Sequence, residues 1–209
     1  MREKYDIIIG IDPDVNRNGV AMLDTFHAYM ELFSYSFAEL MEFLPIRKER
    51  ADAEGDRLLV VVEASWMTET NWHGKSGDNR RQASSKGYDV GRNHETGKKI
   101  VEMARDHYGL EVKCKHPLRK CWSGRDGKIT HGELMSLLEG SGVTCPRKVT
   151  NQEERDAALL ALDESGIPMR MRRIEKRTTR TVSRPEATPP EAREDSTARA
   201  TSTTSATTR

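Results

Sequence analysis

The first apolar run of the chain, Tyr5-Asp6-Ile7-Ile8-Ile9-Gly10-Ile11-Asp12, is rich in β-branched residues and predicts a buried strand. After a loop from Pro13 to Arg17, Asn18-Gly19 gives a turn signal ahead of Val20-Ala21-Met22-Leu23, and Glu31 to Phe37 alternates apolar with polar residues as a third strand. Short loops between the three predict a meander. Ser36-x-x-Glu39 fits a capping box, and Leu40, Phe43 and Leu44 share one helical face until Pro45 intervenes. Leu58-Leu59-Val60-Val61-Val62 is apolar without alternation, as expected of a central strand covered on both faces.

Farther along, Ile100, Val101, Ala104 and Tyr108 recur at core spacing and predict a helix from Gly91 to Tyr108, followed by a fifth strand over Leu110 to Cys114. Thr130-x-x-Glu133 caps a helix through Leu138, and either Thr150-x-x-Glu153 or Asn151-x-x-Glu154 starts a last helix that runs to about Glu164. The order β-β-β-α-β-α-β-α-α predicts a mixed five-stranded α/β sheet flanked by helices. Residues 170–209 carry Thr-Thr, Pro-Pro and Thr-Ser clusters with few large apolar residues, too little to offset the entropy of ordering. The expected organisation is one folded domain over 1–169 and a disordered basic tail over 170–209.

Composition narrows the class. Of 209 residues, 35% are hydrophobic and 32% charged. No apolar run approaches the ~18 residues of a membrane span, and the N-terminus lacks a signal peptide's apolar stretch, so no membrane association and a cytoplasmic location are expected. Cys114, Cys121 and Cys145 are odd in number and form no CxxC pair, which argues for reduced thiols and against a zinc ribbon. The net charge of +1 is unevenly spread. Residues 170–209 hold 10 basic and 5 acidic residues, and the remaining 24 basic and 28 acidic residues leave 1–169 at −4. Within that part, 71–120 carries 12 basic against 6 acidic residues, a bias that suits a phosphate backbone and equally a solvated face.

Chemistry enters through acidic residues at the ends of the apolar runs. Asp12 closes the first strand and Glu63 follows the central one, where a carboxylate is costly unless solvated, paired or bound to a metal. Strand ends in α/β sheets commonly form ligand crevices. A plain turn at Asp12-Pro13 and an arginine partner for Glu63 are the structural alternatives. In the last helix Glu153 and Asp156 are three residues apart and share a face, while Ala157, Leu159, Leu160 and Leu162 can hold the helix on the sheet.

Strand aspartate, strand glutamate and helix aspartate in this chain order resemble the ribonuclease H-like nucleases, and in detail the RuvC family of crossover junction endodeoxyribonucleases. Gly10-Ile11-Asp12-Pro13 is similar to that family's first-strand motif, Val62-Glu63-Ala64 to its central-strand glutamate, and Glu153-x-x-Asp156-Ala157-Ala158 to its closing acidic pair. The stretch from Gly91-Arg92-Asn93 to Leu118 looks like the family's helix and following strand, so the resemblance covers about 1–165. The chain departs from the pattern at Asp14, where a small residue is usual, at Glu153, where aspartate is usual, and in the longer segment Ala64 to Val90.

The resemblance implies a metal-dependent, structure-selective endonuclease that resolves Holliday junctions and other branched DNA as a homodimer. Clustered carboxylates with no His/Cys set favour Mg²⁺ or Mn²⁺, and two such ions can serve the attacking and leaving oxygens of a phosphodiester. Asp12 is expected to bridge the ions, with Glu63 and Asp156 on either side and Glu153 as a helper. Lys98, Lys120 and Lys128 are candidate phosphate contacts, Lys120 matching a family lysine after the fifth strand. The segment from Trp66 through Trp72 and Lys75 to Arg80 and Arg81, with Arg92 beyond, interleaves aromatic and basic residues. Such side chains stack on unpaired bases and track phosphates. In the family an aromatic three residues after the glutamate stacks at the junction centre, the place Trp66 holds, although either tryptophan also suits a core-capping role. Two other classes are weighed: an actin-like ATPase, which needs a second copy of the fold and glycine-rich phosphate loops that this sequence lacks, and a non-catalytic DNA-binding module, which does not need the intact acidic set.

Overall fold

The computed structural model describes residues 5–68 and 80–171. Five strands form one sheet: β1 (Ile7–Asp12), β2 (Asn18–Asp24), β3 (Tyr29–Tyr35), β4 (Leu58–Glu63) and β5 (Glu111–Lys115), in the order β3-β2-β1-β4-β5. β1, β2 and β3 pair antiparallel as the predicted meander, while β4 and β5 run parallel to β1. This mixed sheet, flanked by helices, has the strand order and directions of the ribonuclease H-like fold. β1 is the middle strand rather than β4, although β4 is buried on both faces as its unbroken apolar run requires.

Period-two alternation divides the sheet into two faces. Ile9, Ile11, Val20, Val60 and Val62 join Leu40, Phe43 and Leu44 of helix α1 (Phe37–Glu54) and Ile100 and Val101 of helix α2 (Arg80–Glu102). Ile8, Ala21, Leu23, Leu59 and Val61 face the other way, against Leu134, Leu137 and Leu138 of helix α3 (His131–Gly140) and the run Ala157 to Leu162 of helix α4 (Gln152–Ser165). The result is three layers with the sheet between two pairs of helices.

Several boundaries differ from expectation. The third strand ends at Tyr35, because Ser36 accepts from the Glu39 N–H and starts α1 at Phe37. The helix then continues past Pro45 to Glu54. Proline lacks the N–H that would bond to the Met41 carbonyl one turn back; the Tyr108 hydroxyl donates to that oxygen instead, at 3.1 Å. α2 begins at Arg80, well before Gly91, and its exposed residues Ser84, Ser85, Gly87, Tyr88 and Asp89 offer no apolar period to read. It ends in a wide π-type turn over Met103–His107. The first strand starts at Ile7, the fifth spans Glu111–Lys115, and α3 runs on to Gly140. The described chain reaches Met171, and the Arg170 N–H donates to Ser141 Oγ at 3.1 Å; 172–209, almost all of the expected tail, lies outside the described residues.

Candidate functional site

Ile11 of β1 lies opposite Val62 of the parallel β4, so Asp12 and Glu63 leave the sheet side by side at its carboxyl edge. Alternation turns both toward the face that α4 covers. Two glycines let α4 lie directly on the strands. A Cβ on Gly10 would fall 2.3 Å from the Ala157 carbonyl oxygen, and one on Gly19, the register partner of Asp12, would fall 2.0 Å from that of Glu153. Real Cβ contacts are never so short, so the first turns of α4 sit where they do because these two side chains are missing. Glu153 and Asp156 are thereby carried to Asp12.

The two capping alternatives for α4 resolve in favour of Asn151. Its side chain accepts from the Glu154 N–H while Glu154 reaches back to the Asn151 N–H, and Glu154 is buried against Arg147 at 2.7 Å. Glu154 is thus a structural residue, and Glu153 is released from capping to act on Asp12.

The electrostatics follow from this gathering. Asp12 is held well above the ordinary carboxylate range, first by burial and then by the charges of Glu63, Asp156 and Glu153; Lys128 opposes the rise. Glu63 is pushed up to about 7 by burial and by Asp156, against the pull of Lys120 and Lys128. Asp156 is raised by burial, opposed by a hydrogen bond from Gln152 at 2.8 Å and by Lys128, Lys120 and Arg155. The arginine partner considered for Glu63 is replaced by these two lysines.

Both lysines ride on one folded loop. The Trp122 N–H donates to the Gly127 carbonyl and the Gly124 N–H to the Lys128 carbonyl, each at 3.0 Å, and the turn is closed by Asp126 and Gly127 at φ 55° and 72°. Glu133 ties the loop to α3, accepting from the Ser123 and Thr130 N–H groups at 2.9 Å. Those bonds hold the Glu133 carboxyl down at about 2.

The other expected DNA contacts are spread more widely. Trp66 stands in a 3₁₀ turn, Ser65–Met67, half-buried against the α1/α2 core. Its Cζ3 would lie 2.4 Å from a Cβ on Gly97, beside Pro13. The structure therefore gives this ring a packing role. Arg92 and Lys98 occupy exposed positions of α2, with the Arg92 guanidinium 5.6 Å from the Tyr88 ring centre. Arg80 and Arg81 open α2, while Trp72 and Lys75 lie outside the described residues.

Sequence reasoning missed the groups that fix the loop after β1. The buried Asn18 side chain accepts from the Asp14 N–H at 3.1 Å and donates to the Tyr35 carbonyl at 3.2 Å. Asp14 accepts from the Asn16 N–H at 2.8 Å, and Asn93 of α2 accepts from the Val15 N–H at 3.0 Å. Asp14, which departs from the family pattern, thus serves as a turn residue.

Among the described residues, no three carboxylate, imidazole or thiol groups already converge as a metal cage. The donor set is nevertheless one that a hard divalent cation suits: all oxygen, partly desolvated and mutually repelling. A bound cation would supply the attraction that draws these carboxylates together.

No protein-family model and no curated relative matches the chain. Among solved structures it is similar to T. thermophilus RuvC in complex with Holliday junction substrate, at 14% identity over 75% of this chain and 90% of that one, with a TM-score of 0.40. Thermus thermophilus RuvC alone matches at 16% identity over 75% and 91%, TM-score 0.38. The Fowlpox virus resolvase in complex with substrate Holliday junction DNA matches at 13% identity over 76% and 96%, TM-score 0.36.

Proposed function

We propose that this chain is a divalent-metal-dependent endonuclease that hydrolyses phosphodiesters in branched DNA, the four-way junction in particular. The observation that supports this most is the meeting of Asp12, Glu63 and Asp156 where α4 crosses the sheet: all three are raised in pKa by burial, Asp12 and Glu63 also by neighbouring carboxylates, and Lys120 and Lys128 offset the rise only in part. Carboxylates arranged in this way are unfavourable in the metal-free protein and favourable around a cation.

Asp12, Glu63 and Asp156 would hold Mg²⁺ or Mn²⁺, with Glu153 assisting. The ion supplies Lewis acidity that lowers the pKa of a water and neutralises charge on the leaving oxygen. Lys120 and Lys128 face the same carboxylates and receive the backbone phosphates on either side of the scissile one. Lys128 also limits the net negative charge that DNA must approach.

The preference for branched DNA is drawn from the sequence resemblance and from the aromatic and basic residues that follow Glu63. The exposed part of the Trp66 ring stacks on a base already unpaired at the junction, while its other side packs on Gly97. Arg92 and Lys98, exposed on α2, extend the basic track, and Lys75, Arg80 and Arg81, with the aromatic Trp72, are kept from the sequence as further candidates for contact with DNA. Two opposed strands require two active sites, so the working unit is a homodimer.

The test is cleavage of a four-way junction compared with a linear duplex of the same sequence in Mg²⁺ and in EDTA. Paired incisions in the junction, only with metal, are expected. Equal cutting of both substrates would remove the structure selectivity, and metal-independent cutting would remove the mechanism.

A further inference from the structure

Asp156 does not stand alone on α4. Its Oδ1 accepts from Gln152 Nε2 at 2.8 Å, and Gln152 Oε1 in turn accepts from Arg155 Nη2 at 2.8 Å. The direction of this chain is fixed by chemistry. A guanidinium has only donors, so the amide oxygen must face Arg155 and the amide N–H must face the carboxylate.

Arg155 is itself immobilised. Its Nε donates to the Ile129 carbonyl at 2.8 Å, and its Nη1 donates to the Thr150 carbonyl at 2.6 Å and to Thr150 Oγ1 at 3.2 Å. The same guanidinium therefore grips the residue next to Lys128 and the backbone just before α4. Nothing in the α4 sequence pattern announces this, because Gln152 and Arg155 resemble the solvated residues of any first turn.

We propose that Gln152 is a positioning residue for Asp156, and that Arg155 acts through it by dictating which way its amide points. One carboxylate oxygen of Asp156 is held by the amide and the other is left for the cation. This rests on the reading of Asp156 as a metal ligand. Groups that orient a ligand in this way typically contribute about 10–100-fold to metal affinity when removed.

The test uses the full chain stripped of metal and titrated with Mn²⁺ by calorimetry, alongside its metal-free melting temperature. Gln152→Met preserves length and removes the donor. It is expected to raise the Mn²⁺ concentration at half-saturation by about ten-fold while the metal-free Tm stays near that of wild type. Arg155→Lys keeps the positive charge but cannot reach Ile129, Thr150 and Gln152 together. It should weaken Mn²⁺ binding in the same direction, and adding it to Gln152→Met should cause little further loss, as expected of two residues acting in series. If Arg155→Lys fails to fold, Gln152→Met alone decides. Unchanged half-saturation in Gln152→Met, with wild type binding normally, would overturn the positioning role and leave the metal site standing. Absence of saturable Mn²⁺ binding in wild type would overturn both.

Discussion

Gly19 leaves open the space that the Glu153 backbone occupies: a Cβ there would fall 2.0 Å from the Glu153 carbonyl oxygen, on the strand residue paired with Asp12. Sheet and helix are thus in backbone contact beside the proposed metal ligands. Gly19→Ala must push α4 outward, at a cost of about 3 kcal/mol. A drop in Tm of roughly 10 °C is expected, at about 2–4 °C per kcal/mol for a domain of this size. An unchanged melting curve would mean that α4 does not rest on β2 as described.

The raised carboxylates make a prediction about pH. Glu63 titrates near 7 in the folded protein against an ordinary 4.5, so between these values the folded state binds more protons than the unfolded state. Stability of the metal-free protein therefore falls as pH rises through this window, by about 3 kcal/mol for this group, with Asp12 and Asp156 acting in the same direction. Glu133, held at about 2, has the opposite trend, but below the same window. Melting in EDTA at pH 5 and pH 8 is the measurement. Wild type is expected to melt earlier at pH 8, Asp12→Asn to recover part of the loss, and Mg²⁺ to remove it. A wild-type Tm in EDTA equal at both pH values, with Asp12→Asn making no difference, would contradict the repulsion described for the site.

A third prediction concerns the hydroxyl that completes α1. Tyr108→Phe leaves the Met41 carbonyl without the donor that Pro45 cannot provide, at a cost of about 1 kcal/mol. Restoring the backbone donor with Pro45→Ala should make the Tyr108 substitution nearly silent. Equal effects of Tyr108→Phe in both backgrounds, read from denaturant unfolding, would rule out the compensation.

Trp66 offers a test that separates packing from recognition. Trp66→Ala opens a void against Gly97 and Pro13 and should lower stability by about 2 kcal/mol, less than the 3–5 of a fully buried ring. If its exposed part also stacks on an unpaired base, four-way junction affinity falls by about ten-fold while linear duplex affinity is unchanged. Equal loss on both DNAs would assign Trp66 to packing alone.

The acidic set was legible in the sequence because each member is a polar interruption of an otherwise apolar pattern: Asp12 and Glu63 end buried strands, and Asp156 precedes an alanine-leucine run. The sheet was legible for the same reason. What stayed hidden depends on partners distant in the chain. Pro45 reads as a helix stop until Tyr108, from another helix region, supplies the missing donor. Thr150 and Asn151 are equally good caps on paper, and the burial of Glu154 against Arg147 decides between them. Lys120 and Lys128 reach the carboxylates only because Asp126 and Gly127 fold their loop back. Ser84, Ser85, Gly87, Tyr88 and Asp89 of α2 show no apolar period because they face solvent.

The central claim is that Asp12 holds a catalytic metal, and the most direct test is Asp12→Asn assayed on a four-way junction in Mg²⁺ together with junction binding in its absence. Replacing the carboxylate removes the ligand and also relieves repulsion toward phosphate. Cleavage should fall by at least about 10³-fold, on the order of 4 kcal/mol of barrier, while junction affinity is equal to or tighter than that of wild type. Near wild-type cleavage by this variant would contradict the account.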